Sequence, residues 1–249
     1  MPIDSIEHDG VPLRVARPEQ RPTTGVLVLH QGGGYSPQID EWLSRLAEAG
    51  HLAVAPILFH RAGVESIDPM ERFRTPEGPD MEAFARFLPG DAEVLADVDA
   101  SLDFLQVEGI QPSASGVVGF SFGGRAAYFV AGERALGAAV TFYGNGVQRE
   151  SFDGNDDIPA LDGRVESLRT PWLGLYGEQD FLLSPGELDD LERDLAVAPV
   201  AAELVRYPDA GHAFDVQESF GPGMPVPYVA AATEDAVART LQFLDTSLR

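Results

Sequence analysis

The chain has 249 residues, 44% of them hydrophobic and 23% charged, and no cysteine. That excludes a disulfide scaffold, a thiolate-ligated zinc or iron–sulfur site and a cysteine nucleophile, while the length suffices to bury a large core. Its 17 basic residues are all arginine, against 40 acidic ones, and the net charge of −23 makes a surface that repels nucleic acid and anionic lipid. Two explanations of this acidic, lysine-free composition stay open: a GC-rich genome that favours arginine codons, or adaptation to high salt.

Residues 1–10 carry Asp4, Glu7 and Asp9 and lack the basic and apolar regions of a secretory signal. No apolar run reaches the ~18 residues of a membrane span. The expected location is the cytoplasm. Onward from there, short apolar runs alternate with amphipathic stretches, the pattern of βα units building a mostly parallel sheet. Strands are expected at 26–29 (VLVL), 52–55 (LAVA), 117–119 (VVG), 138–142 (AAVTF), 172–176 (WLGLY) and 203–207 (ELVRY), each short and nearly continuous as doubly buried strands are. Helices are expected at 41–49, 92–104, 123–131, 186–195 and 233–248, where apolar residues recur at helical spacing. One domain, 1–249, is the simplest division. Two segments break the rhythm. Residues 59–90 are rich in proline, glycine and charge but hold Met70, Phe73, Met81, Phe84 and Phe87, which argues for an ordered cover over a pocket. Residues 148–167 are acidic and read as a surface excursion.

The strongest chemical signal is Gly119-Phe120-Ser121-Phe122-Gly123, which follows a strand and opens a helix. This is the context of a G-x-S-x-G nucleophile elbow, whose sharp turn needs small residues on both flanks of the serine. A serine needs a base and a group to orient that base, in the chain order Ser, Asp/Glu, His. Asp180 stands just beyond the 172–176 strand, with Glu178 and Asp209 as competitors. His212 stands in the loop after the 203–207 strand, and of the five histidines it alone combines that order with a loop position. Ser121 would then be the nucleophile, His212 the base and then the acid, and Asp180 the group that holds the imidazole tautomer. An oxyanion hole would draw on the Phe122 N–H and on the glycine loop His30-Gln31-Gly32-Gly33-Gly34.

With those residues in order, the chain resembles the dienelactone hydrolases (carboxymethylenebutenolidases). The likeness runs through VLVLHQGGG, LAVAPILFHR, GVVGFSFGG, TFYGNG, LYGEQD, YPDAGHAF and the helix AATEDAVARTLQFL. It implies an α/β-hydrolase fold, a three-layer α/β/α arrangement with a mostly parallel central sheet, and hydrolysis of a lactone or ester without cofactor or metal. It also implies that the second oxyanion N–H belongs near Gly33, that Gln31, Gly32, Phe120 and Tyr143 contact substrate, and that 59–90 lines the pocket. The sequence departs from the family pattern in three places: Ser121 stands where a cysteine is usual, Gly32 where a glutamate follows the glutamine, and Val216 where an arginine follows the histidine by four residues. Without that arginine the expected substrate is a small neutral ester or lactone, met by a monomer or homodimer. Arg72, Arg74 and Arg86 read as solvated side chains. The same triad would also serve an acyltransferase or thioesterase, and a hydrolase fold turned to ligand binding is the alternative of another class.

Overall fold

The computed structural model describes residues 1–152, 154–218 and 226–249. Its elements in chain order are β1 (Ile3–His8), β2 (Val11–Ala16), β3 (Gly25–Leu29), α1 (Pro37–Glu48), β4 (Leu52–Pro56), α2 (Pro69–Arg72), β5 (Arg74–Thr75), β6 (Gly78–Pro79), α3 (Met81–Phe87), α4 (Asp91–Val107), β7 (Ser115–Phe120), α5 (Phe122–Glu133), β8 (Ala138–Phe142), β9 (Trp172–Gly177), α6 (Glu187–Leu195), β10 (Ala202–Tyr207) and α7 (Ala230–Leu248). Eight strands form one sheet in the order β1-β2-β4-β3-β7-β8-β9-β10. All pairings from β4 to β10 are parallel, and the two pairings that add β2 and β1 are antiparallel. No helix among the described residues is long and apolar enough to cross a membrane.

Strands β3, β4, β7, β8 and β9 are buried throughout because both faces of the sheet are covered, whereas β10, expected to be doubly buried, lies at the sheet edge with Glu203 exposed and Arg206 half-buried. Along β3, Leu27 and Leu29 enter the core beneath α4, α5 and α6, whereas Val26 and Val28 enter the opposite core beneath α1 and α7. This is the expected three-layer arrangement, and all six expected strands and five expected helices are present. The first hairpin, β1–β2, was not anticipated. Its outer strand is an edge whose side chains are all exposed or half-buried, which leaves a polar sequence that conceals the extended backbone. Likewise α1 begins at Pro37, before the expected boundary, with proline in the first turn, where its missing N–H costs nothing.

The two irregular segments pack on each other. Within 59–90, Phe73 meets Phe84 and Phe87, and Phe87 meets Phe59, with ring centroids 5.1–5.8 Å apart. Residues 148–167 are not the plain surface excursion their acidity suggests: Phe152, Ile158, Leu161 and Val165 are buried in the core. There the Asn155 side chain donates to the carbonyls of Ala85 and Leu88 and ties the segment to α3. A few widely spaced apolar residues were enough to anchor it, too sparse to give a periodic signal.

Buried charge pairs lock this layer. Arg61 makes a two-pronged contact with fully buried Asp97 on α4, at 2.7 and 2.8 Å. Arg125 on α5, 1% exposed, pairs with Asp91 at the start of α4 and donates to the Pro159 carbonyl. Removing one partner of such a pair strands the other charge away from water. Asp91→Ala is therefore expected to lower unfolding free energy by about 3 kcal/mol, and Asp103→Ala, at an exposed site, by less than ~1 kcal/mol. Urea denaturation of the two variants checks the contrast.

Candidate active site

The site lies at the C-terminal ends of β3, β7, β8 and β9, where chain connections leave the sheet in opposite directions and open a crevice. At the end of β7 the chain bends so sharply that Ser121 adopts φ +53° and ψ −116°. A Cβ at Gly119 would sit 1.9 Å from the Gly123 carbonyl oxygen, and one at Gly123 would sit 2.3 Å from the Leu29 carbonyl oxygen. Only glycine fits either flank, which is the physical content of the G-x-S-x-G pattern here. The turn lifts the Ser121 hydroxyl clear of the sheet at the N-terminus of α5.

Ser121 Oγ lies 2.9 Å from His212 Nε2, and His212 Nδ1 lies 2.8 Å from Asp180 Oδ2. Both Asp180 and His212 are buried. Asp180 Oδ1 accepts the Leu182 N–H, so the carboxylate is held from both sides. The competitors are elsewhere: Glu178 pairs with Arg206, and Asp209 makes no contact with His212. With Asp180 accepting from Nδ1–H, Nε2 is left free to take a proton from the serine hydroxyl, the arrangement that activates a nucleophile.

The His212 ring is packed edge-on by Tyr143 and by Phe181, with centroids at 5.1 and 6.0 Å. Tyr143 is fully buried and does not line the cavity, contrary to its expected role as a substrate contact. Its hydroxyl donates to Asp215 at 2.6 Å, and Gln38 donates to both. Burial pushes the Asp215 carboxyl above its usual range although three side chains donate to it, and burial likewise raises the Tyr143 hydroxyl. Gln38, Phe181 and Asp215 escaped the sequence reading because none belongs to a motif; Asp215 follows His212 by only three residues and was within sight. Phe120 is also a correction. As a strand residue directly before the elbow it points to the opposite face, where it stacks among Trp42, Phe142 and Tyr143 in the core.

The glycine loop takes its shape from His30. Its Nδ1–H donates to the Gln31 carbonyl at 2.9 Å, its Nε2 accepts the Leu58 N–H at 3.1 Å, and its ring packs on Phe59. Gln31 in turn accepts from Gly34 N–H, and Gly33 accepts from Ile67 N–H. The Gly33 and Phe122 amides donate to no loop carbonyl among the described residues, so both remain available to an oxyanion. Phe84 points the tip of its ring at Gly32, where any Cβ would approach it to 2.7 Å.

In front of Ser121 is a cavity of about 450 Å³ lined by Gly32, Met81, Glu82, Phe84, Ala85, Ser121, Phe122, Asn145, Ser151, Phe152 and Leu182. The segment 59–90 thus covers the pocket as expected. No arginine lines it: Arg86 pairs with Glu82, Arg72 stacks on Phe73 and Phe87, and Val216 packs against the core. Gln31 stands beside the cavity without lining it. A wider, open depression between β1, α1 and Tyr35 holds no histidine. The single cluster of metal-type ligands among the described residues, His8, Asp9 and Asp103, lies outside this cavity.

The sequence profile of the dienelactone hydrolase family matches residues 11–248. An Escherichia coli K12 protein named "putative carboxymethylenebutenolidase" is 32% identical over 238 residues, covering 94% of this chain and 82% of the relative. The carboxymethylenebutenolidase of Pseudomonas putida is 25% identical, covering 92% and 89%. Among solved structures, the "putative dienelactone hydrolase" of Klebsiella pneumoniae superposes with a TM-score of 0.80 at 28% identity, covering 98% of this chain and 97% of that one.

Burial holds the His30 imidazolium down at about 4, because desolvation outweighs the Gln31 hydrogen bond that favours it. A histidine whose folded value lies below the unfolded 6.5 binds its proton more readily when unfolded. Its contribution to stability is complete above pH 6.5 and is lost as pH falls to about 4, by about 3 kcal/mol. The stability lost between pH 7 and pH 4, read from urea curves, should be smaller in His30→Asn than in wild type by that amount.

Proposed function

Since the chain belongs to the dienelactone hydrolase family, we propose that it is a serine hydrolase of small neutral carboxylic esters or lactones that works through an acyl-enzyme on Ser121. The observation that carries this reading is the continuous hydrogen-bonded series Ser121–His212–Asp180, at 2.9 and 2.8 Å, opening on a cavity that contains the serine. In the first step the Ser121 hydroxyl oxygen attacks the acyl carbon while its proton passes to His212 Nε2. Asp180 stabilises the imidazolium, and the N–H groups of Phe122 and Gly33 receive the charge that grows on the carbonyl oxygen. Collapse of the tetrahedral adduct expels the alkoxide, which takes the proton from His212; for a lactone that alcohol stays tethered to the acyl chain. Water, deprotonated by the same imidazole, then attacks the ester on Ser121 and frees the acid.

Neutral substrates are favoured by the cavity walls. They are aromatic and aliphatic, their charged member is the carboxylate of Glu82, and no arginine is placed to receive a second carboxylate. At the mouth, Phe181 is 71% exposed beside His212, an apolar surface on the side from which a leaving group departs.

Ser121→Ala is expected to fold normally and to lose activity on p-nitrophenyl esters by about 10⁴-fold or more in kcat. A fluorophosphonate should add one adduct to wild type and none to the variant by intact mass. Full turnover by the alanine variant would overturn the reading. In the same assay a neutral acyl ester should exceed, in kcat/KM, a half-ester of equal length that ends in a carboxylate.

A further inference from the structure

Of the polar residues that line the cavity and that none of the steps above uses, Glu82 is exposed, Ser151 is half-buried and Asn145 alone is buried. It is 5% exposed, it lines the space in front of Ser121, and its Oδ1 is out of contact with solvent and accepts no hydrogen bond. Its carboxamide nitrogen likewise donates to no protein group among the described residues, in contrast to Asn155, whose side chain is spent on the carbonyls of Ala85 and Leu88. A buried carboxamide without a partner is unfavourable, a cost that a structural side chain avoids by bonding its own loop.

The backbone keeps it in place. Asn145 follows β8 between Gly144, where a Cβ would approach the Arg125 amide nitrogen to 2.7 Å, and Gly146, at φ +84°. Tyr143, before them, is held by its N–H to the Leu175 carbonyl and by its hydroxyl to Asp215. The carboxamide is therefore presented by a rigid turn immediately beside the elbow, whose Ser121 N–H donates to the Phe142 carbonyl. Around it the cavity is walled mostly by apolar side chains, Phe84, Phe122, Phe152, Met81 and Leu182, with the polar groups of Glu82 and Ser151 on more exposed residues.

We infer that Asn145 is the specificity-determining residue of this pocket, and that it selects esters or lactones whose acyl part carries a hydroxyl near the scissile carbonyl. A hydroxyl oxygen can accept from the carboxamide nitrogen, which donates to no protein group among the described residues, and as a single heavy atom it leaves the apolar walls filled by the rest of the acyl chain. A pocket with a buried group of this kind discriminates against the analogue lacking the hydroxyl, since that analogue leaves the carboxamide unpaired after water has been expelled. The inference rests on the Ser121 reading, whose cavity it interprets.

The test compares p-nitrophenyl esters of a 3-hydroxyacyl and the matching simple acyl chain, in wild type, Asn145→Leu and Asn145→Ser, with fluorophosphonate labelling of Ser121 in each. Wild type should prefer the hydroxyacyl ester in kcat/KM by about tenfold or more. Asn145→Leu, of similar volume, should bring the ratio to about one, and Asn145→Ser, with a shorter hydroxyl, should fall between. A wild-type ratio near one, or an unchanged ratio in a leucine variant that still labels, overturns the role of Asn145 and leaves the nucleophile intact. The wild-type ratio decides by itself if the variants do not fold. A wild-type protein that takes no adduct and turns over neither ester overturns the Ser121 reading, and this one with it.

Discussion

The candidate site depends on a close approach of backbone to backbone. At the end of β7 the chain turns back on itself so tightly that no side chain fits at Gly119 or Gly123, and Ser121 is held at a positive φ that a non-glycine residue adopts at a cost of about 1–3 kcal/mol. That cost is borne by the elements that meet there. β3 and β8 flank β7 in parallel register, α5 starts directly after the bend, and the Ser121 amide is tied to the Phe142 carbonyl. The buried sheet makes the turn possible, and the turn gives the serine its exposure.

Every other part of the site is fitted to that fixed point by a separate connection. The glycine loop after β3 is shaped by a neutral, buried histidine. The imidazole of His212 is gripped by a carboxylate at one nitrogen and by aromatic rings at its edges, and Tyr143, one of those rings, is anchored through Asp215 and Gln38 on α1. Long loops supply these groups, yet little of their freedom remains, since each functional side chain has a partner that fixes its rotamer. Asn145 is the exception, rigid in backbone and unpaired in side chain.

The cover over the cavity is held by different physics. Its aromatic residues run from Phe84 against Gly32 through Phe73 and Phe87 to Phe59 against His30, so the pocket wall and the glycine loop share one packed cluster. Arg61–Asp97 and Arg125–Asp91 pin the edges of that cluster to α4 and α5. In a chain with a charge of −23, arginine is scarce, and two are used in pairs of which one member, Asp97 or Arg125, is out of reach of water. Among the described residues, no arginine lines the cavity.

Periodicity and spacing were enough to read the sheet, the flanking helices and the elbow, because a strand covered on both faces must be apolar throughout and a bend as tight as that at Ser121 admits only glycine beside it. They also put Asp180 and His212 in the correct loops and order. What they left open was which of Glu178, Asp180 and Asp209 meets the imidazole, a matter of 2.8 Å across two loops 32 residues apart. Phe120 shows the opposite case: next to the serine in sequence, it faces the other side of the sheet, since alternate strand residues point apart. Edge strand β1, the buried apolar residues of 148–167, and the roles of Gln38, Asn145 and Asp215 were decided only in three dimensions. A polar edge strand looks like a loop in sequence, scattered anchors carry no period, and whether an asparagine has a hydrogen-bond partner depends on which distant backbone the fold brings to it.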